Sequence, residues 1–62
     1  MKIAVIGSGA WGTALALHFC KEHDTVLLTK NQATASKLLY DRENRKYLPH
    51  QIFPPQLKVT SL

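Results

Sequence analysis

The fold of this chain is decided near its start by Lys2-Ile3-Ala4-Val5-Ile6-Gly7-Ser8-Gly9-Ala10-Trp11-Gly12. The first five residues form a short run, apolar after Lys2 and partly β-branched, that ends at a glycine, which predicts a strand buried on both faces, as in a parallel sheet. The next six residues match the pattern G-x-G-x-x-G. Since that pattern has a functional meaning only between a strand and a helix, the residues on either side of it matter most.

The segment that starts inside the glycine motif predicts a helix from Ala10 to Lys21. Its residues are apolar on almost every side, so we expect a buried helix with no solvent-facing surface. The polar stretch Lys21-Glu22-His23-Asp24 predicts its end. Cys20, at the end of the apolar segment, is expected to be a small core residue.

The rest of the chain repeats the alternation. Thr25–Thr29 predicts a second strand. Asn31 is a candidate N-cap for a one-sided helix that continues to about Asn44. Three prolines make the segment from Tyr47 to Pro55 a loop, and Leu57–Thr60 then predicts a third strand.

The predicted order is strand, helix, strand, helix, strand, which favours an α/β protein with a parallel sheet. A complete Rossmann-type dinucleotide-binding domain has about twice as many strands. We therefore expect residues 1–62 to be the opening βαβαβ portion of a truncated Rossmann-type sheet, and so the N-terminal part of a dinucleotide-binding domain. We expect no substrate or catalytic domain within this chain.

Each glycine of the motif has a separate predicted role. Gly7 permits a tight turn, Gly9 lets a pyrophosphate approach the backbone, and Gly12 lets the helix pack closely on the strand. The amide groups at the start of the helix, together with the helix dipole, would face the phosphates. The alternative is a glycine-rich strand-to-helix turn without a ligand.

The residue that usually binds the adenosine ribose is missing. Such sites carry a carboxylate about 20 residues after the motif, but Thr29-Lys30-Asn31-Gln32 contains none. Asp24 precedes the second strand and would lie at the wrong end of the sheet. A basic residue here accommodates a 2′-phosphate, so Lys30 favours NADPH over NADH or at least tolerates it. Alternatively, Lys30 is a solvated loop charge and Asn31 only a helix cap.

Composition excludes several classes of protein. The net charge of +4 attracts anions without selecting among them, and the single cysteine excludes a disulfide scaffold. The N-terminus has no signal-peptide pattern and no segment is long enough to cross a membrane, so we expect a cytoplasmic protein. The spacing of His18, His23 and His50 fits no metal site.

Two longer segments resemble one known family, the NAD(P)-dependent sn-glycerol-3-phosphate dehydrogenases. The first is Gly7-Ser8-Gly9-Ala10-Trp11-Gly12-Thr13-Ala14-Leu15-Ala16. The second is Arg42-Glu43-Asn44-Arg45-Lys46-Tyr47-Leu48-Pro49, followed by Pro54-Pro55-Gln56-Leu57. The resemblance covers essentially the whole chain.

The resemblance implies that the parent protein reduces dihydroxyacetone phosphate reversibly to sn-glycerol 3-phosphate with NADPH or NADH and so feeds glycerophospholipid synthesis. It also implies cofactor contacts at Ala10, Trp11, Asn31 and Tyr47. Ala10 stands where the family often has serine, and Asn31 where many bacterial members have arginine. The family's catalytic and substrate-phosphate residues lie beyond this chain, so no residue here is expected to be catalytic.

Three other functions are possible from the sequence. The chain could belong to another Rossmann enzyme, such as a different dehydrogenase or a flavoprotein. It could be a fragment that only binds nucleotide or is inactive, because half a sheet leaves edges uncovered. Lastly, four basic residues could bind nucleic acid, although no stacking platform accompanies them: Arg42, Arg45, Lys46 and Lys58.

Overall fold

A computed structural model describes residues 1–62 and shows alternating strands and helices. The elements are β1 (Lys2–Ile6), α1 (Ala10–Phe19), β2 (Asp24–Thr29), α2 (Gln32–Asp41) and β3 (Lys58–Ser61). The predicted α/β order is confirmed, and each boundary lies within about three residues of its predicted position.

The three strands form one parallel sheet in the order β1-β2-β3. Lys2 pairs with Asp24 and Ile6 with Leu28, while Val26 pairs with Lys58 and Thr29 with Ser61. All three strands therefore end at the same edge of the sheet. This edge carries the loops that follow β1 and β2, which is where parallel α/β sheets bind their ligands.

The helices cover one face of the sheet. Alternate residues of β2, namely Thr25, Leu27 and Thr29, are buried on that face, as the two-residue period of a strand requires. The apolar core joins the sheet to α1, α2 and the loop after α2; it consists of Ala16, Cys20, Leu27, Ala35, Leu38, Phe53, Leu57 and Val59.

Cys20 lies within this core, as predicted. Its Sγ donates to the carbonyl oxygen of Leu17 at 3.3 Å. Burial raises the pKa of the thiol, so the neutral form is favoured and Cys20 behaves as a small apolar residue.

Two burial predictions are wrong for this chain. In β1, Ala4 and Ile6 are exposed, so this strand is covered on one face only. Helix α1 is not buried all round: Trp11 is 85% exposed and Leu15 43%. The sequence pattern shows how apolar a segment is. It does not show whether another part of the chain packs against that segment.

Helix α2 ends three residues earlier than predicted. Arg42 takes a left-handed conformation with φ 56°, and its N–H donates to the Leu38 carbonyl oxygen at 2.9 Å. The Arg42 side chain also donates from Nη2 to the carbonyl oxygens of Pro54 at 2.6 Å and Phe53 at 3.3 Å. These bonds connect the end of α2 to the proline loop.

We expect Gly12→Ala to destabilise the fold. A Cβ at Gly12 would collide with the backbone oxygen of Gly7, a group that cannot rotate away. The expected loss is about 2–3 kcal/mol, because overpacking against backbone outweighs the ~1 kcal/mol helix propensity gained from alanine. Urea unfolding followed by circular dichroism would measure it.

Gly9→Ala is the matched control for this substitution. A Cβ at Gly9 would meet no atom within 4 Å, so only the difference between glycine and alanine as N-caps remains, about 1 kcal/mol or less. Equal losses in the two variants would contradict the close contact of α1 with the end of β1.

We also expect an acid-dependent contribution from Asp24 at the opposite edge of the sheet. Lys58 Nζ lies 2.9 Å from Asp24 Oδ1, and the hydrogen bond and charge of Lys58 lower the pKa of this carboxyl, with weaker help from Lys2 and the N-terminus. Because the folded pKa lies below the unfolded one, the stabilisation is present above about pH 4 and is lost as pH falls through the folded pKa.

The measurement is the free energy of unfolding of the wild type and of Asp24→Asn between pH 7 and pH 2. The wild type should be the more stable at neutral pH, and the difference should shrink in acid. Glu22→Gln, which removes an exposed carboxyl with no ion-pair partner, is the control. A difference that does not change with pH would refute the Asp24–Lys58 contribution.

Candidate cofactor-binding site

The loop between β1 and α1 presents unpaired backbone amides. Gly7 has φ 104°, a conformation that favours glycine, and its N–H donates to the Leu28 carbonyl oxygen at 2.9 Å. The N–H groups of Gly9, Ala10 and Trp11 donate no backbone hydrogen bond, as is general in the first turn of a helix. These groups can therefore bind an anion.

A cavity of about 520 Å³ lies beside this loop. Its wall includes Gly7 and Gly9 of the motif, Lys30 and Asn31 after β2, and Tyr47 from the proline loop. Five of the eight predicted cofactor residues are thus brought together, although they come from three separate segments of the chain. Because β1 and β2 are parallel, the loops that follow them meet at this edge.

The other three predicted residues do not line this cavity. Ala10, Trp11 and Gly12 form the first turn of α1, and the Trp11 side chain points largely into solvent. Gly12 lies against the backbone of Gly7 and has a packing role. We expect any contact from Ala10 and Trp11 to a ligand in this cavity to come from their free backbone amides.

Asn31 caps α2, which was one of the two predicted alternatives. Its Oδ1 accepts from the Thr34 N–H at 2.8 Å, and its carbonyl oxygen accepts from Thr29 Oγ1, also at 2.8 Å. The side-chain oxygen is therefore engaged within the helix, and only the Asn31 side-chain NH₂ is free to meet a ligand.

The cavity is electropositive. Lys30, Lys37, Arg45 and Lys46 lie in its wall together with the carboxylates of Asp41 and Glu43. Lys37 Nζ pairs with Asp41 at 3.2 Å and Arg45 Nε with Glu43 at 3.5 Å. Lys30 and Lys46 have no carboxylate partner, and the ammonium of Lys46 lies 5.1 Å from the centre of the Tyr47 ring.

The four basic residues considered for nucleic-acid binding do not form one surface. Arg42 donates to loop carbonyls, Lys58 pairs with Asp24 at the far edge of the sheet, and Arg45 and Lys46 lie at the cavity. Asp24 is indeed at the opposite edge, as expected. No three His, Cys, Asp or Glu side chains are grouped to hold a metal ion, and no helix is long and apolar enough to cross a membrane.

Sequence reasoning missed the role of Asn44, which is only 4% exposed. Its Nδ2 donates to the Ser8 carbonyl oxygen at 2.7 Å and to Thr13 Oγ1 at 2.9 Å. Its Oδ1 accepts from the Tyr47 N–H at 3.4 Å. No local pattern predicts a contact between residues 36 positions apart. The one feature of the sequence that drew attention to Asn44 is its place in the segment from Arg42 to Pro49 that resembles the dehydrogenase family.

Comparisons with known proteins give a consistent result. Residues 2–61 match the family model described as the NAD-dependent glycerol-3-phosphate dehydrogenase N-terminus. Over 61 residues, covering 98% of the chain, the sequence is 43% identical to a glycerol-3-phosphate dehydrogenase (NAD(P)+) of Methylibium petroleiphilum and 48% identical to one of Aromatoleum aromaticum. These matches cover 18% and 19% of the two relatives.

A solved structure agrees. The crystal structure of a glycerol-3-phosphate dehydrogenase from Coxiella burnetii superposes with a TM-score of 0.86 at 34% identity, covering 98% of this chain and 19% of that one. The chain thus spans less than a fifth of the relatives it matches. With the family model covering almost every residue, the chain belongs to the family of NAD-dependent glycerol-3-phosphate dehydrogenase N-termini.

Proposed function

We propose that this chain binds the adenosine diphosphate part of NADP(H) or NAD(H) in the cavity at the carboxyl edge of the sheet. One observation carries this proposal: Gly9 with its free amide, Lys30 and Tyr47 lie in the wall of one cavity although they come from different segments. The free amides of Ala10 and Trp11 follow Gly9 directly in the chain. The pyrophosphate would lie against the amides of Gly9, Ala10 and Trp11, where the N-terminal end of α1 favours negative charge.

The proposed adenosine end lies toward Lys30 and Asn31. Lys30 follows β2, has no carboxylate partner and stands where dinucleotide sites usually carry an acid. An ammonium at this position attracts a 2′-phosphate and does not repel a ribose hydroxyl. We therefore infer that the site accepts both cofactors and binds the phosphorylated one more tightly.

We further propose that the parent enzyme reduces dihydroxyacetone phosphate to sn-glycerol 3-phosphate and so supplies glycerophospholipid synthesis. The support is the naming of the relatives as glycerol-3-phosphate dehydrogenases (NAD(P)+). The nicotinamide cofactor supplies the hydride, while the residues of this chain hold the cofactor's other end. We place the catalytic and substrate-binding residues in the part of the relatives that this chain does not match.

The first test is a fluorescence titration of Trp11, the only tryptophan, with NADPH and NADH. Trp11 is the second residue of α1, next to the proposed pyrophosphate position, so a bound pyrophosphate should change its emission in a saturable way. Lys30→Ala should raise the Kd for NADPH about fivefold, equivalent to roughly 1 kcal/mol for an exposed charge contact, and the Kd for NADH less than about twofold.

Lys21→Ala is the control, because Lys21 is an exposed lysine outside this cavity. It removes the same charge and should leave both Kd values unchanged. Absence of saturable quenching in a sample that circular dichroism shows to be folded would argue against the cofactor site. An equal effect of Lys30→Ala on both nucleotides would refute only the proposed 2′-phosphate contact.

The 62-residue chain alone is expected not to oxidise NADPH in the presence of dihydroxyacetone phosphate. Hydride transfer needs a substrate positioned at the nicotinamide, and we assign that role to residues outside this chain. The assay is absorbance at the NADPH band with and without substrate. Substrate-dependent oxidation that is lost in Lys30→Ala would prove this prediction wrong and would place a complete active site within these residues.

A further inference from the structure

We propose that Asn44 is a positioning residue that sets the orientation of the glycine-loop amides. The inference rests on the proposed cofactor site. It adds a residue that acts on the loop backbone and does not itself contact the cofactor. Asn44 follows the end of α2, yet its side-chain NH₂ reaches Ser8 inside the loop and Thr13 on α1.

The three groups form a closed hydrogen-bonded triangle. Both hydrogens of the Asn44 amide are used, one on the Ser8 carbonyl oxygen and one on Thr13 Oγ1. The Thr13 hydroxyl in turn donates to the same Ser8 oxygen at 3.3 Å. Thr13 is fully buried, Asn44 is 4% exposed, and no buried side-chain polar atom of the chain lacks a partner. A network satisfied in this way fixes the groups that it joins.

The orientation of the Ser8 carbonyl determines that of the next amide. The peptide between Ser8 and Gly9 is trans, so its C=O and N–H point in opposite directions. Holding the Ser8 oxygen inward, toward Asn44 and Thr13, turns the Gly9 N–H outward. Gly9 is exposed, lies in the cavity wall, and its N–H donates no backbone hydrogen bond. Asn44 thus keeps this donor available to an anion.

The same residue joins two walls of the cavity. Asn44 Oδ1 accepts from the Tyr47 N–H at 3.4 Å, and the Asn44 carbonyl oxygen accepts from the Leu48 N–H at 2.8 Å. The segment that carries Tyr47 is therefore held against the glycine loop through one side chain. Loss of that side chain should loosen both walls while leaving the sheet unchanged.

The test uses Asn44→Ala, with Asn44→Asp as a second variant of unchanged size that loses the donor and keeps an acceptor. Amide NMR without nucleotide should show altered shifts and lower order parameters at Ser8 to Gly12, with Leu27 and Leu28 of β2 unchanged. The Kd for NADPH should rise about tenfold in Asn44→Ala, as expected when a buried hydrogen-bond partner is removed, and further in Asn44→Asp.

Gln51→Glu is the control, because it makes the same amide-to-acid change at an exposed residue of the neighbouring loop. It should change neither the loop amides nor the Kd. The proposal would be overturned by an Asn44→Ala variant that remains folded, keeps the wild-type shift and order parameter of the Gly9 amide, and has an unaltered Kd. Parallel changes in β2 and the loop would also overturn it, since they would mean that Asn44 only stabilises the fold.

A further variant decides the question if both Asn44 substitutions unfold the chain. Thr13→Val removes one corner of the triangle and should raise the Kd for NADPH about threefold with perturbed Ser8 and Gly9 amides; no change would overturn the proposal. Failure of the proposed function can be told apart from failure of this inference. If the wild type binds no nucleotide, the cofactor site is refuted. If the Asn44 substitutions still change the amide signals of Ser8 to Gly12, the positioning role of Asn44 remains supported.

Discussion

The close approach of Gly12 to the backbone of Gly7 positions α1 against β1 and so sets the geometry of the proposed cofactor site. A side chain on Gly12 would overlap the Gly7 oxygen, so α1 can start this near to β1 only where that side chain is missing. The approach places the free amides of the first turn directly at the end of the strand. It also brings Thr13 below the loop, where its hydroxyl reaches the Ser8 carbonyl.

The second half of the site is built by residues that end α2. Arg42 turns the chain with a left-handed conformation and ties it to the proline loop through two carbonyl oxygens. Two residues later Asn44 reaches back to the glycine loop. Because Arg42 fixes the direction of the chain and Asn44 fixes its distance from the loop, Tyr47 is held at the cavity without contributing to the apolar core.

Local sequence patterns predicted those features of the structure that depend on residues close together in the chain. The order of elements, the glycine turn and the Asn31 cap all follow from spacing within a few positions, and all are present. The burial of α1 and of both faces of β1 was predicted wrongly, because burial depends on what covers a surface. The Asn44 hydrogen bonds join residues 31 and 36 positions apart. The residues next to Asn44 in the sequence do not distinguish it from an asparagine in an exposed loop, so its burial could not be predicted.

The distribution of charge explains how this basic chain, with a net charge of +4, can favour anions at one place. Parallel strands put the N-terminal ends of α1 and α2 at the same edge of the sheet, and neither helix has an acidic residue in its first turn. Negative side chains are common there because they offset the helix dipole. In the cavity wall the carboxylates of Asp41 and Glu43 are already paired, which leaves the first turn of α1, Lys30 and Lys46 without a negative partner. A bound phosphate would supply the missing negative charge.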